Sequence, residues 1–126
     1  MTENEISRVV VDAAIEVHRT LGGPGLLESV YEEALVWELT ARGLVVARQV
    51  ELPIPYKGCV LASPLKIDLI VDQLVIIETT ATTAYHSIFE VQTLTYLRLT
   101  KLKLGIVINF GERVVKDGIH RVVNGL

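Results

Sequence analysis

Two acidic residues stand inside runs that are otherwise apolar. Asp68 interrupts Ile67-Asp68-Leu69-Ile70-Val71, and Glu78 closes Leu74-Val75-Ile76-Ile77-Glu78. An unpaired buried carboxylate is costly, so each of these acids calls for a partner. Two carboxylates converging from adjacent strands are a way to hold a hard divalent cation such as Mg²⁺. The alternation of faces along a strand sets a condition on that reading. A two-residue turn at Asp72-Gln73 would pair Ile67 with Glu78 and send Asp68 and Glu78 to opposite faces. A shared site needs a three-residue loop, or a bulge near Glu78. The alternative has Asp68 capping or pairing with Lys66 or an arginine, and Glu78 at a wet strand end.

Other pairs have helical spacing. Glu28 and Tyr31 are three apart, with Glu32 one turn beyond Glu28, and Gln92 and Tyr96 are four apart; each pair shares a helix face. Taken alone they fit ordinary helix surface, or a tyrosine at a core margin, equally well. His18 is a lone histidine on a helix, a setting that is more often structural than ligating. Cations gather at Arg98, Lys101 and Lys103 and again at Lys116, His120 and Arg121. The helix dipole accounts for the first group. If both groups share a face with Asp68, they can instead hold phosphates.

The elements that must position these residues follow from periodicity. Ile6, Val9, Val10, Ala13, Ala14, Val17 and Leu21 form one apolar stripe, predicting a helix over Glu5 to Leu21 capped by Asn4 or Thr2. Gly22-Gly23-Pro24-Gly25 stops it, and a second helix is expected from about Leu27 to Arg42, with Gly43 as its C-terminal cap. Leu44 to Leu61 turns β-branched and reads as a strand with an irregular end after Pro53 and Pro55 and a turn at Tyr56-Lys57-Gly58. Lys66–Val71 and Leu74–Thr79 read as strands covered on both faces. Ser87 to Glu90 has capping-box spacing, predicting a third helix over about Ile88 to Leu102 with Val91, Leu94 and Leu97 on its inner face. Leu104–Phe110 reads as a further buried strand, and the tail after Gly111-Glu112 as a short strand or a helix. The order is α-α-β-β-β-α-β plus a tail.

A length of 126 residues suits one domain, spanning 1–126. Half the residues are hydrophobic and the mean hydropathy is +0.43, which fits either a sheet covered on both faces or a buried homodimer interface. The apolar runs fall far short of the roughly 20 residues that span a bilayer, so no membrane partner is expected. The acidic start, Met1-Thr2-Glu3-Asn4-Glu5, lacks the features of a secretory signal, and a cytoplasmic location is expected. The single cysteine, Cys59, can form neither an internal disulfide nor a thiolate cluster and reads as a buried or strand-end thiol. A net charge of −3 argues against gripping nucleic acid mainly by electrostatics.

The stretch Gly25-Leu26-Leu27-Glu28-Ser29-Val30-Tyr31 resembles the signature of the GxxExxY proteins, small bacterial and archaeal proteins of the PD-(D/E)xK nuclease superfamily. The likeness continues through Val17-His18, Lys66-Ile67-Asp68-Leu69, Leu94-Thr95-Tyr96-Leu97, Asp117-Gly118 and Val123-Asn124-Gly125-Leu126. It implies an α/β fold with a restriction-endonuclease-like core, a mixed sheet flanked by helices. It also implies roles: Asp68 and Glu78 as ligands of Mg²⁺ or Mn²⁺, Glu28 as the acid supplied by the preceding helix, and Gln92 with Tyr96 as a pair like the Q-x-x-x-Y element of RecB-type nucleases. Phosphodiester hydrolysis of DNA or RNA would be the reaction.

The chain departs from that pattern at one position. The family's E-x-K places a lysine two residues after Glu78, where this chain has Thr80. Losing a lysine that orients water and stabilises the phosphorane charge is expected to cost on the order of 10²-fold to 10⁴-fold in rate. Lys66, two residues before Asp68, is the candidate for a migrated lysine. The leading reading is a metal-dependent nuclease, weakened or inactive for want of that lysine. The alternative is a non-catalytic, nuclease-derived module that binds nucleic acid or a protein partner.

Overall fold

A computed structural model describes residues 1–126. The first apolar stripe forms helix α1 (Glu3–Thr20), and Thr2 caps it in preference to Asn4. The Thr2 hydroxyl accepts from the Glu5 amide at 3.2 Å and the Glu5 carboxylate accepts from the Thr2 amide at 2.9 Å, so two end donors are satisfied reciprocally. Helix α2 (Glu28–Ala41) follows the glycine loop. It stops before Gly43, whose φ of 86° supplies the left-handed residue that frees the chain from the helix.

The β-branched stretch from Leu44 to Leu61 is not one strand. It divides into β1 (Val46–Leu52) and a small hairpin, β2 (Pro55–Tyr56) with β3 (Cys59–Val60), turned at Lys57-Gly58. Both turn residues have positive φ, 49° and 81°, as a two-residue hairpin turn requires. Cys59 is an exposed strand-end thiol.

Strands β4 (Leu65–Val71) and β5 (Val75–Thr80) are antiparallel. Helix α3 (Ile88–Thr100) then carries the chain across to β6 (Leu104–Asn109), which lies parallel to β5. The tail is both helix and strand: a 3-10 turn at Val115–Gly118, then β7 (Ile119–Val123) antiparallel to β6. The result is a five-stranded mixed sheet in the order β1-β4-β5-β6-β7 with helices on both faces, the α/β class expected.

Helices α1 and α2 bury the larger core, in which Val10, Leu35 and Leu39 meet Leu69, Val71, Ile77 and Ile106. Helix α3 buries a smaller one around Ile67, Ile76 and Leu97. Ile76 and Ile77 therefore face different layers, which is why β5 is apolar at successive positions.

Helix α3 departs from expectation in two ways. Ser87 makes no capping bond and its backbone is helical. The imidazole Nδ1 of His86 accepts from the Ile88 amide at 3.0 Å instead, while Glu90 is engaged by the Tyr85 hydroxyl at 3.1 Å and cannot close a box. The inner stripe is also rotated, with Thr93 and Leu97 buried and Val91 exposed. Gly105 on β6 makes the room, since a Cβ there would run into the Thr93 methyl group. The helix ends at Thr100, short of Leu102, because Lys101 turns left-handed at φ 63°.

Candidate active site

The loop between β4 and β5 meets the condition that a joint acidic site imposes. It holds three residues, Asp72-Gln73-Leu74, between the paired Val71 and Val75. Asp72 and Gln73 are both left-handed, with φ of 49° and 57°, and the Asp72 carboxylate accepts from the Val45 amide at 2.8 Å. The register runs Val71↔Val75, Ile70↔Ile76, Leu69↔Ile77, and its next step sets Asp68 opposite Glu78. The ladder stops there, and side chains take over the backbone donors. The Asp68 amide donates to Glu78 Oε1 at 3.2 Å, while the Thr79 amide and hydroxyl donate to Asp68 Oδ2 at 2.9 and 3.2 Å. Asp68 pairs with neither Lys66 nor an arginine.

The glycine-rich loop and α2 bring in a third acid. Tyr31 is fully buried and stacks on Phe110 with ring centroids 4.8 Å apart. Its hydroxyl donates to the Gly23 carbonyl at 2.7 Å and accepts from the Leu26 amide at 3.2 Å. The tyrosine is therefore a brace for the loop, its hydroxyl committed to Gly23 and Leu26. The braced loop fixes where α2 begins, and its first residue is Glu28. One turn on, Glu32 is buried and accepts from Arg48 Nε and Gln49 Nε2, both at 2.8 Å; Gln49 Nε2 also reaches Asp68 Oδ1 at 3.4 Å.

The remaining candidates divide. Tyr96 of α3 is half-buried beside the acids, and Gln92 is exposed with no hydrogen-bond partner among its neighbours. Lys66 is exposed opposite Glu51 and makes no ion pair. Thr80 is nearly buried, only 6% exposed, at the end of β5 on the face of Glu78. His18 bonds through Nε2 to the Phe110 carbonyl at 3.2 Å and is structural. The tail's cations do not form one patch. Arg121 reaches Asn4 of α1, whereas His120 stacks on Tyr85 at 4.1 Å.

The electrostatics confirm which groups sense one another. Burial, and then the charge of Asp68, push the Glu78 carboxyl up to about 9. Glu28 is held above the usual carboxylate range by desolvation first and then by Asp68 and Glu32. The Tyr96 phenol is raised by burial and by the charges of Glu78 and Asp68. Glu28, Asp68, Glu78 and Tyr96 thus lie within electrostatic reach of one another, and no lysine or arginine enters that set.

A pH dependence follows for the cation-free protein. Glu78 binds its proton more tightly folded than unfolded, so its contribution to stability is fully present below the unfolded carboxylate range and is lost as pH rises toward about 9. The melting temperature is expected to fall across pH 5 to 9 by more in the wild type than in Glu78→Gln. Parallel curves, measured by calorimetry in chelator, would show that Glu78 does not hold this proton.

The sequence profile of the PD-(D/E)XK nuclease superfamily matches residues 4–122. The chain belongs to that superfamily. No curated protein and no solved structure matches it significantly.

For a member of the PD-(D/E)XK superfamily the question is whether these residues fit a divalent cation. They do, on the chemistry of the donors. Two facing carboxylates with no lysine or arginine between them leave negative charge that Glu78 relieves by holding a proton, and a cation would relieve it in the same place. An all-oxygen pair suits Mg²⁺ or Mn²⁺, which take one or two carboxylates and complete their shell with water and phosphate oxygens. No group of three or more His, Cys, Asp or Glu residues is gathered tightly enough to enclose a metal. Glu28 stands within electrostatic reach of Asp68 and outside such a group.

Two contributors escaped the sequence reading: Thr79, which fixes Asp68, and Gln49, which reaches it from the other side while bonded to Glu32, a residue noted only for its place one turn beyond Glu28. Thr79 lies next to Glu78 and carries no catalytic signature. Gln49 sits in a β-branched run whose only cue is the polar Arg48-Gln49 step.

Proposed function

We propose that this chain is a divalent-cation-dependent nuclease of low rate, hydrolysing phosphodiester bonds of DNA or RNA at the carboxylates of β4 and β5, beside the start of α2. The observation that carries the reading is the three-residue loop that sets Asp68 opposite Glu78, each oxygen-bonded to the other strand's backbone. Mg²⁺ or Mn²⁺ held by Asp68 and Glu78 would polarise the scissile phosphate and lower the pKa of bound water. Asp68 is the fixed ligand, because the Thr79 amide and hydroxyl leave one of its oxygens committed and orient the other. Glu78 would hold the cation as a carboxylate, its proton passing to solvent. Glu28, exposed at the start of α2 with its carboxyl held above the usual range, would accept a proton at the rim. Tyr96 offers a phenol that stays protonated at neutral pH and so would act as a hydrogen-bond donor. Thr80 contributes no ammonium, which is why the expected rate is low.

The test is an assay of purified protein on single- and double-stranded DNA and RNA oligonucleotides with millimolar Mg²⁺ or Mn²⁺, beside Asp68→Ala. Slow, chelator-sensitive cleavage reduced by at least about 10²-fold in the variant is expected. Equal cleavage by both proteins, or none by either, would contradict the proposal. Cation-independent retention of an oligonucleotide without cleavage would favour a binding module built on the same fold.

A further inference from the structure

Five residues other than glycine have positive φ, and four of them occupy turns or a helix end: Lys57, Asp72, Gln73 and Lys101. Gln49 is the exception. It lies inside β1 with φ 52°, a conformation that strains an L-residue and that glycine would adopt freely.

The pairing of β1 with β4 shows where that strain falls. Arg48 pairs with Leu69 and Val50 with Ile67, while the step between them, Gln49 against Asp68, is missing from the ladder. Neither strand carries an extra residue, so this is not a bulge. Packing nonetheless changes layer on both strands at this step. Val46, Leu69 and Val71 belong to the core under α1 and α2, whereas Val50, Leu52 and Ile67 belong to the core under α3. Regular strands send successive side chains to opposite faces. Here Arg48 and Gln49 are consecutive and both reach Glu32 on α2.

The kink is repaid by what the amide touches. Gln49 Nε2 donates to Glu32 Oε1 at 2.8 Å and, over a longer 3.4 Å, to Asp68 Oδ1, the oxygen that Thr79 leaves free. Glu32 is itself fixed, only 4% exposed, with its second oxygen on Arg48 Nε. Strain held at one residue of a strand, beside a candidate site, points to a role for that residue.

We infer that Gln49 is a positioning residue for the acidic pair: its left-handed backbone turns the amide across the strand and ties the outer oxygen of Asp68 to Glu32 of α2. This rests on the cation-site reading of Asp68 and Glu78. A side chain that orients a ligand without touching the metal supports affinity, and its loss typically weakens binding by about 10-fold to 100-fold.

The test uses the full chain with Mn²⁺ as the probe, following thermal unfolding against cation concentration in wild type, Gln49→Gly and Gln49→Leu. Without cation the two variants should move apart. Gln49→Gly relieves the backbone and is expected to melt at or above the wild type, while Gln49→Leu keeps the strain, loses both bonds and melts below it. With cation both should need about tenfold more Mn²⁺ for half of the wild-type stabilisation. A purely structural role for Gln49 would leave the Mn²⁺ midpoint unchanged in both variants, and that result would overturn the inference while leaving the cation site intact. Absence of any Mn²⁺ stabilisation in the wild type would overturn the cation site and this inference with it.

Discussion

Thr80→Lys is expected to raise cation-dependent phosphodiester cleavage by about 10²-fold to 10⁴-fold. Thr80 follows Glu78 by two residues on β5, so the two side chains leave the same face. A lysine there would carry its ammonium along that face toward the Asp68–Glu78 pair, where no cation now stands. The same charge should pull Glu78 down from about 9, because a nearby positive charge favours the carboxylate. Cation-free stability would then depend less steeply on pH. Thr80 is close to buried, so Thr80→Met is the control that matches length without charge. The rate increase should appear in Thr80→Lys, be absent from Thr80→Met, and vanish when Asp68→Ala is added. A folded Thr80→Lys protein with unchanged cleavage would show that the face of Glu78 is not where the scissile phosphate sits. Lys66 predicts the opposite pattern: Lys66→Ala should leave cleavage within about twofold, since its side chain is exposed and unpaired and surface changes of that kind are usually near neutral.

Asn109→Ala is expected to lower folding stability by about 3 kcal/mol, read as a shift in urea midpoint with unchanged slope. Asn109 ends β6 and is fully buried. Its Oδ1 accepts from the Thr82 amide at 3.0 Å and the Gly111 amide at 2.9 Å, and its Nδ2 donates to the Thr82 carbonyl at 3.0 Å. Removing the amide leaves three backbone groups without partners where water has little access, and each such group costs about 1–3 kcal/mol before relaxation. Gly111 closes the same contact from the other side, because a Cβ on it would collide with the Thr82 backbone. Asn109→Asp tests the direction of the bonds. It keeps the shape and the oxygen that accepts both amides but sets a second carboxylate oxygen against the Thr82 carbonyl, so it should also destabilise. Thr83→Ala, exposed and outside the clamp, should change stability by no more than about 0.5 kcal/mol. The clamp lies just beyond Thr80, so loosening it should also make the segment after β5 the first to be cut by protease.

Much of this was legible in the sequence because apolar spacing and backbone punctuation act locally. The stripe from Ile6 to Leu21 and the glycines at 22, 23, 25 and 43 set α1 and α2 within a residue or two of their observed ends. The acids at 68 and 78 stood out as polar interruptions, but their register did not. Whether they share a face depends on two left-handed residues, Asp72 and Gln73, and no rule of composition distinguishes a two-residue from a three-residue loop there. Helix α3 was misread for a tertiary reason. Ser87 and Glu90 have capping-box spacing, yet His86 and Tyr85 take their roles, and a glycine on β6 draws Thr93 inward in place of Val91. Glu28 and Tyr31 appear together in one short motif although they do different work. The tyrosine braces the loop, and the glutamate feels the charges of Asp68 and Glu32.

The most direct test of the acidic pair as a cation site is paramagnetic line broadening by Mn²⁺ in the amide NMR spectrum of the intact chain. Broadening should be centred on Asp68, Glu78 and Thr79, extend to Gln49 and Glu28, and disappear in Asp68→Ala. Broadening confined to the exposed acids of α1 or α2, or no broadening at millimolar Mn²⁺, would contradict the account.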